Sequence, residues 1–171
     1  MIELERTFLA KSLPANLQRH DCKEILDIYV PREQQHPTLR IRKNGDQYEV
    51  TKKEPVDDNP SRLREETVHI TAREFAALST VEGKRVHKLR YFYPYKAHIL
   101  EFDVFQDQLA GLVLVDVEFS NDRDKEVFGL PEFCLADVTA EKFLAGGMLC
   151  GKSYSNIRPL LKRFDYRPLS L

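Results

Sequence analysis

The sequence predicts an α+β fold: an eight-stranded antiparallel β-barrel with short helices packed outside. Three observations carry this expectation. Eight segments alternate polar and apolar residues with the period of a strand, and they are rich in β-branched and aromatic residues. Helical patterns are few and gather late in the chain, so helices do not alternate with strands as a parallel sheet would require. The polar strand positions also carry pairs set two apart: Glu3/Glu5, Arg40/Arg42, Thr51/Lys53, Lys88/Arg90, Glu101/Asp103, Asp116/Glu118 and, more weakly, Glu66/Val68. Residues i and i+2 share one face of a strand, so each pair projects side by side, while Leu4, Ile41, Leu89, Phe102 and Val117 turn to the other face.

In chain order, strands are expected near 2–9, 23–30, 38–44, 47–54, 63–70, 85–93, 98–106 and 113–120. Asn44-Gly45-Asp46 lies between the third and fourth and predicts a tight hairpin. Glu54 to Pro60 is proline-rich and acidic and reads as a mobile loop. Thr71-Ala72-Arg73-Glu74 has capping-box spacing ahead of Phe75, Ala76 and Leu78, which predicts a helix over about 72–80. Further helices are expected over 121–128, 139–149 and 153–164. No repeat, low-complexity segment or linker interrupts the chain, which reads as a single domain over 1–171 with its core over about 1–150 and a helical extension over 151–171.

Composition narrows the function classes. A chain of 171 residues with 42% hydrophobic content can bury one core. Its 26 basic and 27 acidic residues nearly cancel, so no whole-molecule field draws it to DNA or to a membrane surface, and any electrostatic function is local. Cys22, Cys134 and Cys150 are odd in number and lack Cys-x-x-Cys spacing, which argues for reduced, mostly buried thiols rather than disulfides or structural zinc. The five histidines show no ligand spacing. Without a leader motif or a bilayer-length apolar window, a soluble, cytoplasmic setting is expected.

Like charges on adjacent same-face positions are unfavourable unless opposite charge lies between the pairs. That favours a closed barrel over an open sheet with a solvated polar face. Arg40, Arg42, Lys53, Lys88 and Arg90 come from three predicted strands. Arginine forks and lysine point charges together suit a chain of phosphates. Glu3, Glu5, Glu66, Glu101, Asp103, Asp116 and Glu118 are hard oxygen donors of the kind Mg²⁺ or Mn²⁺ prefers. Direct pairing of these acids and bases with one another is the alternative.

In order along the chain, Glu3-Leu4-Glu5, Leu39-Arg40-Ile41-Arg42, Tyr48 to Lys53, Arg64-Glu65-Glu66, Val86 to Tyr91, Glu101 to Phe105 and Leu114 to Phe119 resemble the CYTH superfamily, the triphosphate tunnel metalloenzymes. The resemblance covers roughly residues 1–145. It implies an eight-stranded barrel whose charged interior binds a small-molecule triphosphate with a divalent metal, Mg²⁺ or Mn²⁺. By resemblance, Glu3, Glu5, Asp103, Asp116 and Glu118 would hold the metal, with Glu66 and Glu101 in support. Arg40, Arg42, Lys53, Lys88, Arg90 and the later Lys142 would bind substrate, and Glu5, Lys88 and Arg90 would act at the reacting phosphoryl group.

Two positions depart from the family pattern: Thr7 stands where the Glu-x-Glu-x-Lys signature has lysine, and Val68 where many members have a second glutamate. The implied activity is metal-dependent hydrolysis of tripolyphosphate or an organic or nucleoside triphosphate. The alternatives are a class IV-type adenylyl cyclase and a non-catalytic triphosphate-binding module. Gly146 to Ser153 also fits the Walker A spacing, but only 18 residues follow Ser153, too few for the parallel sheet a P-loop needs. It reads instead as a glycine-rich turn between two helices. The tail with Leu160, Leu161 and Phe164 is expected to pack on the barrel exterior, and a homodimer contact through it is left open.

Overall fold

The computed structural model describes residues 2–57 and 59–171. Eight strands form the barrel: β1 (Ile2–Ala10), β2 (Cys22–Val30), β3 (Leu39–Asn44), β4 (Gln47–Val56), β5 (Asn59–Ile70), β6 (Lys84–Tyr95), β7 (His98–Phe105) and β8 (Val113–Phe119). Hydrogen-bonded neighbours run β5-β4-β3-β2-β6-β7-β8-β1, all antiparallel, and β1 returns to β5. That last pairing is short, Ile2↔Arg64, Glu3↔Leu63 and Leu4↔Arg62, but it closes the sheet. Closure removes the unpaired edge that an open sheet would leave. Where β1 runs past β5, a ninth strand, β9 (Cys134–Asp137), pairs with Phe8, Leu9 and Ala10.

The β3–β4 hairpin turns as expected on Gly45, whose φ of +60° suits a residue without Cβ. The segment expected to be a loop over 54–60 is largely strand. β4 reaches Val56, β5 resumes at Asn59, and the ladder continues through Pro55↔Leu63 and Val56↔Asn59; Asp58 lies outside the described residues. Thr71 and Glu74 form the reciprocal capping box of α1 (Ala72–Leu78). Asn121 caps α2 (Asp122–Val127). The helix expected over 139–149 is broken into a 3-10 turn over 142–144 and the single turn α3 (Gly146–Leu149); α4 (Tyr154–Leu161) follows.

Two apolar cores flank the polar lumen. One covers the outer wall, where Phe8, Phe102, Val113, Val115 and Val117 are buried together with Leu17 and Cys134. The other seals one end of the barrel. Leu9, Tyr29, Val86, Phe105 and Leu114 occupy the lumen-facing phase of their strands, two residues on from polar lumen positions, and they pack with Leu144, Leu149, Ile157 and Leu161. The C-terminal helices therefore stop the end of the barrel rather than lying along its side. Each such buried side chain contributes about 1.5–3 kcal/mol relative to exposure. Tyr166 fixes the tail, accepting from the Val113 amide and donating to the Gly111 carbonyl, both at 2.8 Å.

Candidate functional site

Directly opposed residues of an antiparallel ladder share a face. Across β2–β3, Asp27 opposes Arg42, and across β3–β4, Arg42 opposes Glu49 and Arg40 opposes Thr51. Lys53 opposes Glu65 across β4–β5, Arg90 opposes Asp103 across β6–β7, and Glu101 opposes Asp116 across β7–β8. The circuit closes where β1 sets Glu5 beside Glu118 and Thr7 beside Asp116. These residues line the inside of the barrel.

Three ion-pair groups result. Arg42 grips Asp27 as a fork, Nε to Oδ1 at 2.6 Å and Nη2 to Oδ2 at 2.8 Å. Arg90 reaches Asp103 at 2.6 and 2.7 Å and Asp116 at 2.9 Å, and also donates to Glu101; Lys88 donates to Asp103. Lys53 bridges Glu3 at 2.9 Å and Glu5 at 2.8 Å, with Glu65 at 3.9 Å, and Arg40 lies 3.5 Å from Glu65. Arg40 Nε is buried without a hydrogen-bond partner among the described residues. A buried donor left unpaired costs about 1–3 kcal/mol, which a ligand oxygen would recover.

The charges do not balance. Glu3, Glu5, Asp27, Glu49, Glu65, Glu101, Asp103, Asp116 and Glu118 outnumber the cations of the lumen-facing phase, which are Arg40, Arg42, Lys53, Lys88 and Arg90 with, at the strand ends, Lys23 opposite Arg90 and Lys84 opposite Tyr29. Burial alone would raise Asp27, yet Arg42 overrides it and holds the carboxyl at about 2. Arg90 and Lys88 likewise hold Asp103 well below the usual range despite burial. Burial lowers the Lys88 ammonium against the pull of Asp103. On the acidic side the direction reverses. Burial, with Asp116, Glu118 and Asp103 nearby, pushes Glu101 up to about 7 against Arg90. Burial and the neighbouring Glu3 and Glu5 raise Glu118, and burial and Asp103 raise Asp116.

Among the described residues, no three His, Cys, Asp or Glu side chains are already gathered for a metal ion. The donor chemistry fits one nevertheless. Glu118 has no ion-pair partner among the described residues and stands against Glu3 and Glu5, a crowding of hard oxygen donors that a divalent cation relieves. Glu3, Glu5, Glu118 and Asp116 are the residues able to hold it.

Three expected site residues are placed differently. Asp103, expected as a metal ligand, is 1% exposed, and both its oxygens are taken by Lys88 and Arg90, so it orients cations instead. Glu66 opposes Lys52 on the outer face and is exposed; Glu65 is the lumen carboxylate of β5. Lys142 is exposed in the 3-10 turn outside the strands, within electrostatic reach of His36. Thr7 does enter the lumen, where its hydroxyl donates to Asp116 at 2.8 Å. Sequence reasoning missed Asp27, Glu49 and Glu65. The first two had a signal: each is the only acid on its face of its strand.

Among the described residues no strand leads directly into the Walker-type segment; a 3-10 turn over 142–144 separates it from β9. Gly146 opens α3, and Lys152 lies in the turn before α4. Cys22 is exposed, and Cys134 and Cys150 are buried and unbridged. No helix among the described residues is long and apolar enough to cross a membrane.

The CYTH domain model matches residues 1–133. An inorganic triphosphatase from Nitrosomonas europaea is 31% identical over 144 residues, spanning 83% of this chain and 92% of that protein. A crystal structure of an inorganic triphosphatase superposes with a TM-score of 0.63 at 27% identity, covering 86% of this chain and 93% of that one. A conserved hypothetical protein from Pyrococcus furiosus shares the fold, with a TM-score of 0.52 at 19% identity over 99% of this chain and 96% of its own.

Proposed function

The chain belongs to the CYTH domain family, and from that premise we propose that it hydrolyses a triphosphate inside the barrel with Mg²⁺ or Mn²⁺. One observation carries this reading: Arg40, Arg42, Lys53, Lys88 and Arg90, drawn from β3, β4 and β6, converge on one enclosed lumen. Similarity to an inorganic triphosphatase makes tripolyphosphate the first substrate to test.

The surplus of lumen carboxylates supports a metal requirement. A bare triphosphate would enter a field already negative, whereas cations on Glu3, Glu5, Glu118 and Asp116 would turn that side attractive. When bound, the metal supplies Lewis-acid polarisation of phosphoryl oxygens and a more acidic water. The chain's own residues do the rest. Arg40, with its unpaired Nε, and Arg42 would fork phosphate oxygens, and Lys53, which pairs with Glu3 and Glu5, would be free for phosphate where those two carboxylates hold a metal. Lys88 and Arg90 hold the charge that develops on the transferred group, and Asp103 keeps both aligned. Glu5 would orient the attacking water and accept its proton.

Phosphate release from tripolyphosphate, ATP and thiamine triphosphate with each metal tests the reading, and three inert substrates with both metals would sink it. Thr7 favours one second reading. It lacks the charge of the signature lysine, so the lumen would bind a triphosphate without turning it over; calorimetric binding with no product would identify that case.

A further inference from the structure

Away from the cradle, the sealed end of the barrel carries a further group of cations. Three segments meet there. His36 comes from the chain between β2 and β3, Lys84 from the first position of β6, and Lys142 and Lys152 flank α3. Glycines let them close on one turn: a Cβ on Gly147 would lie 2.6 Å from His36 Cδ2, and one on Gly151 would lie 3.0 Å from Lys84 Cδ. Burial, then Lys142 and Lys84, hold the His36 imidazole below its usual value. Burial raises the Cys150 thiol, and Lys84 and Lys152 oppose it. The four side chains thus surround the turn over 147–151.

Among the described residues, no carboxylate lies in ion-pair contact with Lys84, Lys142 or Lys152. Lys84 Nζ donates instead to the Gln34 carbonyl at 2.7 Å, and Glu141, the acid beside Lys142, is taken by Arg163. Glu33 and Glu82, also close along the chain, are exposed. Like charges gathered without a counter-charge disfavour one another, and an anion among them removes the conflict. Ammonium groups act as point charges that suit phosphate, and donors from three directions match a multivalent anion better than a single carboxylate. The glycines serve close packing and leave the charge to side chains, unlike a P-loop, whose backbone amides cradle phosphate.

We propose that His36, Lys84, Lys142 and Lys152 form a second binding site, outside the lumen, for inorganic phosphate or pyrophosphate. Lys84 and Lys88 are four residues apart on β6, about 13 Å at the rise of a strand. That exceeds the screening length of about 8 Å at 0.15 M salt, so the site fills independently of the lumen.

The test is calorimetric titration of pyrophosphate at about 0.15 M salt into the wild type, Arg40→Ala, Lys152→Met and the double variant Lys84→Met/Lys152→Met, with the His36 ring followed by NMR. Divalent metal is left out, because the acid-rich lumen then disfavours the anion. Methionine keeps the apolar stem of lysine and its packing on Gly151. Lys152→Met should weaken binding about tenfold and the double variant about a hundredfold, as the loss of one and two charged hydrogen bonds implies. Arg40→Ala should stay within about twofold of the wild type, as an independent site requires. His36 signals should shift with pyrophosphate in the wild type and in Arg40→Ala. Affinity lost in Arg40→Ala and kept in the double variant would confine pyrophosphate to the lumen and overturn the second site. Wild-type His36 signals that stay fixed throughout the titration would overturn it as well, whether or not each variant folds.

Discussion

Asp27 and Arg42 meet across the β2–β3 ladder as a two-point fork at 2.6 and 2.8 Å, with Asp27 only 2% exposed. The pair fixes the guanidinium plane of Arg42, whose remaining donors are the ones the proposed function assigns to phosphate. The Asp27 carboxyl, held at about 2 against an ordinary 3.8, is a depressed acid. Such a group adds stability above its unfolded pKa and loses it as pH falls through the folded value. The expected contribution is about 2 kcal/mol at neutral pH, disappearing between roughly pH 4 and 2. Urea midpoints measured across that window should fall less steeply in Asp27→Asn than in the wild type. With Arg42 less firmly held, KM for tripolyphosphate should rise about tenfold, the equivalent of 1.4 kcal/mol, with a smaller change in kcat.

Glu65 and Glu66 give a one-residue test of strand phase. Glu65 stands 3.5 Å from Arg40 and 3.9 Å from Lys53 inside the barrel, whereas Glu66 is exposed opposite Lys52. Glu65→Gln should change triphosphate KM by about fivefold to tenfold, because it loosens the hold on two cations that the proposed function assigns to phosphate. Glu66→Gln should stay within about 0.5 kcal/mol of the wild type in stability, as surface changes do, and leave KM unaltered. Equal effects would mean that the strand register differs from the one described.

The same pair shows where legibility ended. All eight barrel strands could be read from their alternation, most plainly where one face is apolar along the whole strand, as with Val113, Val115, Val117 and Phe119 of β8. β5 was harder: Arg64-Glu65-Glu66 is charged at every position, so period-two alternation could not say which glutamate faced inward, and only Lys53↔Glu65 pairing does. Asp27 escaped notice for the opposite reason. It is one acid among Ile25, Leu26, Ile28 and Tyr29, with no same-charge partner two residues away. β9 is four residues long and carries no alternation to detect. Its place is set by Arg6, which forks Asp137 at 3.0 and 2.6 Å, and by Thr139, whose Oγ1 accepts from the Thr7 amide at 3.0 Å, contacts spanning over 130 residues. The helix expected over 139–149 had the right apolar content, but tertiary packing of Leu144 and Leu149 into the barrel end prevailed over a continuous helix.

Thr7 donates to Asp116 Oδ1 at 2.8 Å, a neutral hydrogen bond to a carboxylate that burial and Asp103 already make reluctant to ionise. Thr7→Lys would put an ammonium at this point of the lumen, next to Asp116 and one strand position from Glu5. If a missing charge limits turnover, kcat for tripolyphosphate should rise about tenfold, the worth of one charged hydrogen bond. Single-turnover phosphate release, compared with calorimetric affinity, separates that gain from tighter ground-state binding. A rise in affinity with unchanged kcat would assign the lost lysine to binding alone.

Gly146 and Gly147 imitate a phosphate-binding loop because packing, not phosphate, demands them. A Cβ on Gly146 would come within 2.2 Å of the Tyr29 hydroxyl, and one on Gly147 within 2.3 Å of the Pro37 carbonyl. Both contacts lie where α3 presses on the sealed end of the barrel, and the second is with backbone that cannot rotate away. Gly147→Ala should therefore lower stability by about 1–3 kcal/mol through overpacking, read as a reduced urea midpoint with an unchanged slope. Lys152→Ala, at the position a P-loop would use for phosphate, should leave tripolyphosphate hydrolysis and stability near wild type. Arg40→Ala should abolish measurable hydrolysis, since it removes a lumen guanidinium that no neighbouring cation replaces. Loss of activity in Lys152→Ala with Arg40→Ala still active would move the phosphate site out of the barrel and onto the C-terminal turn.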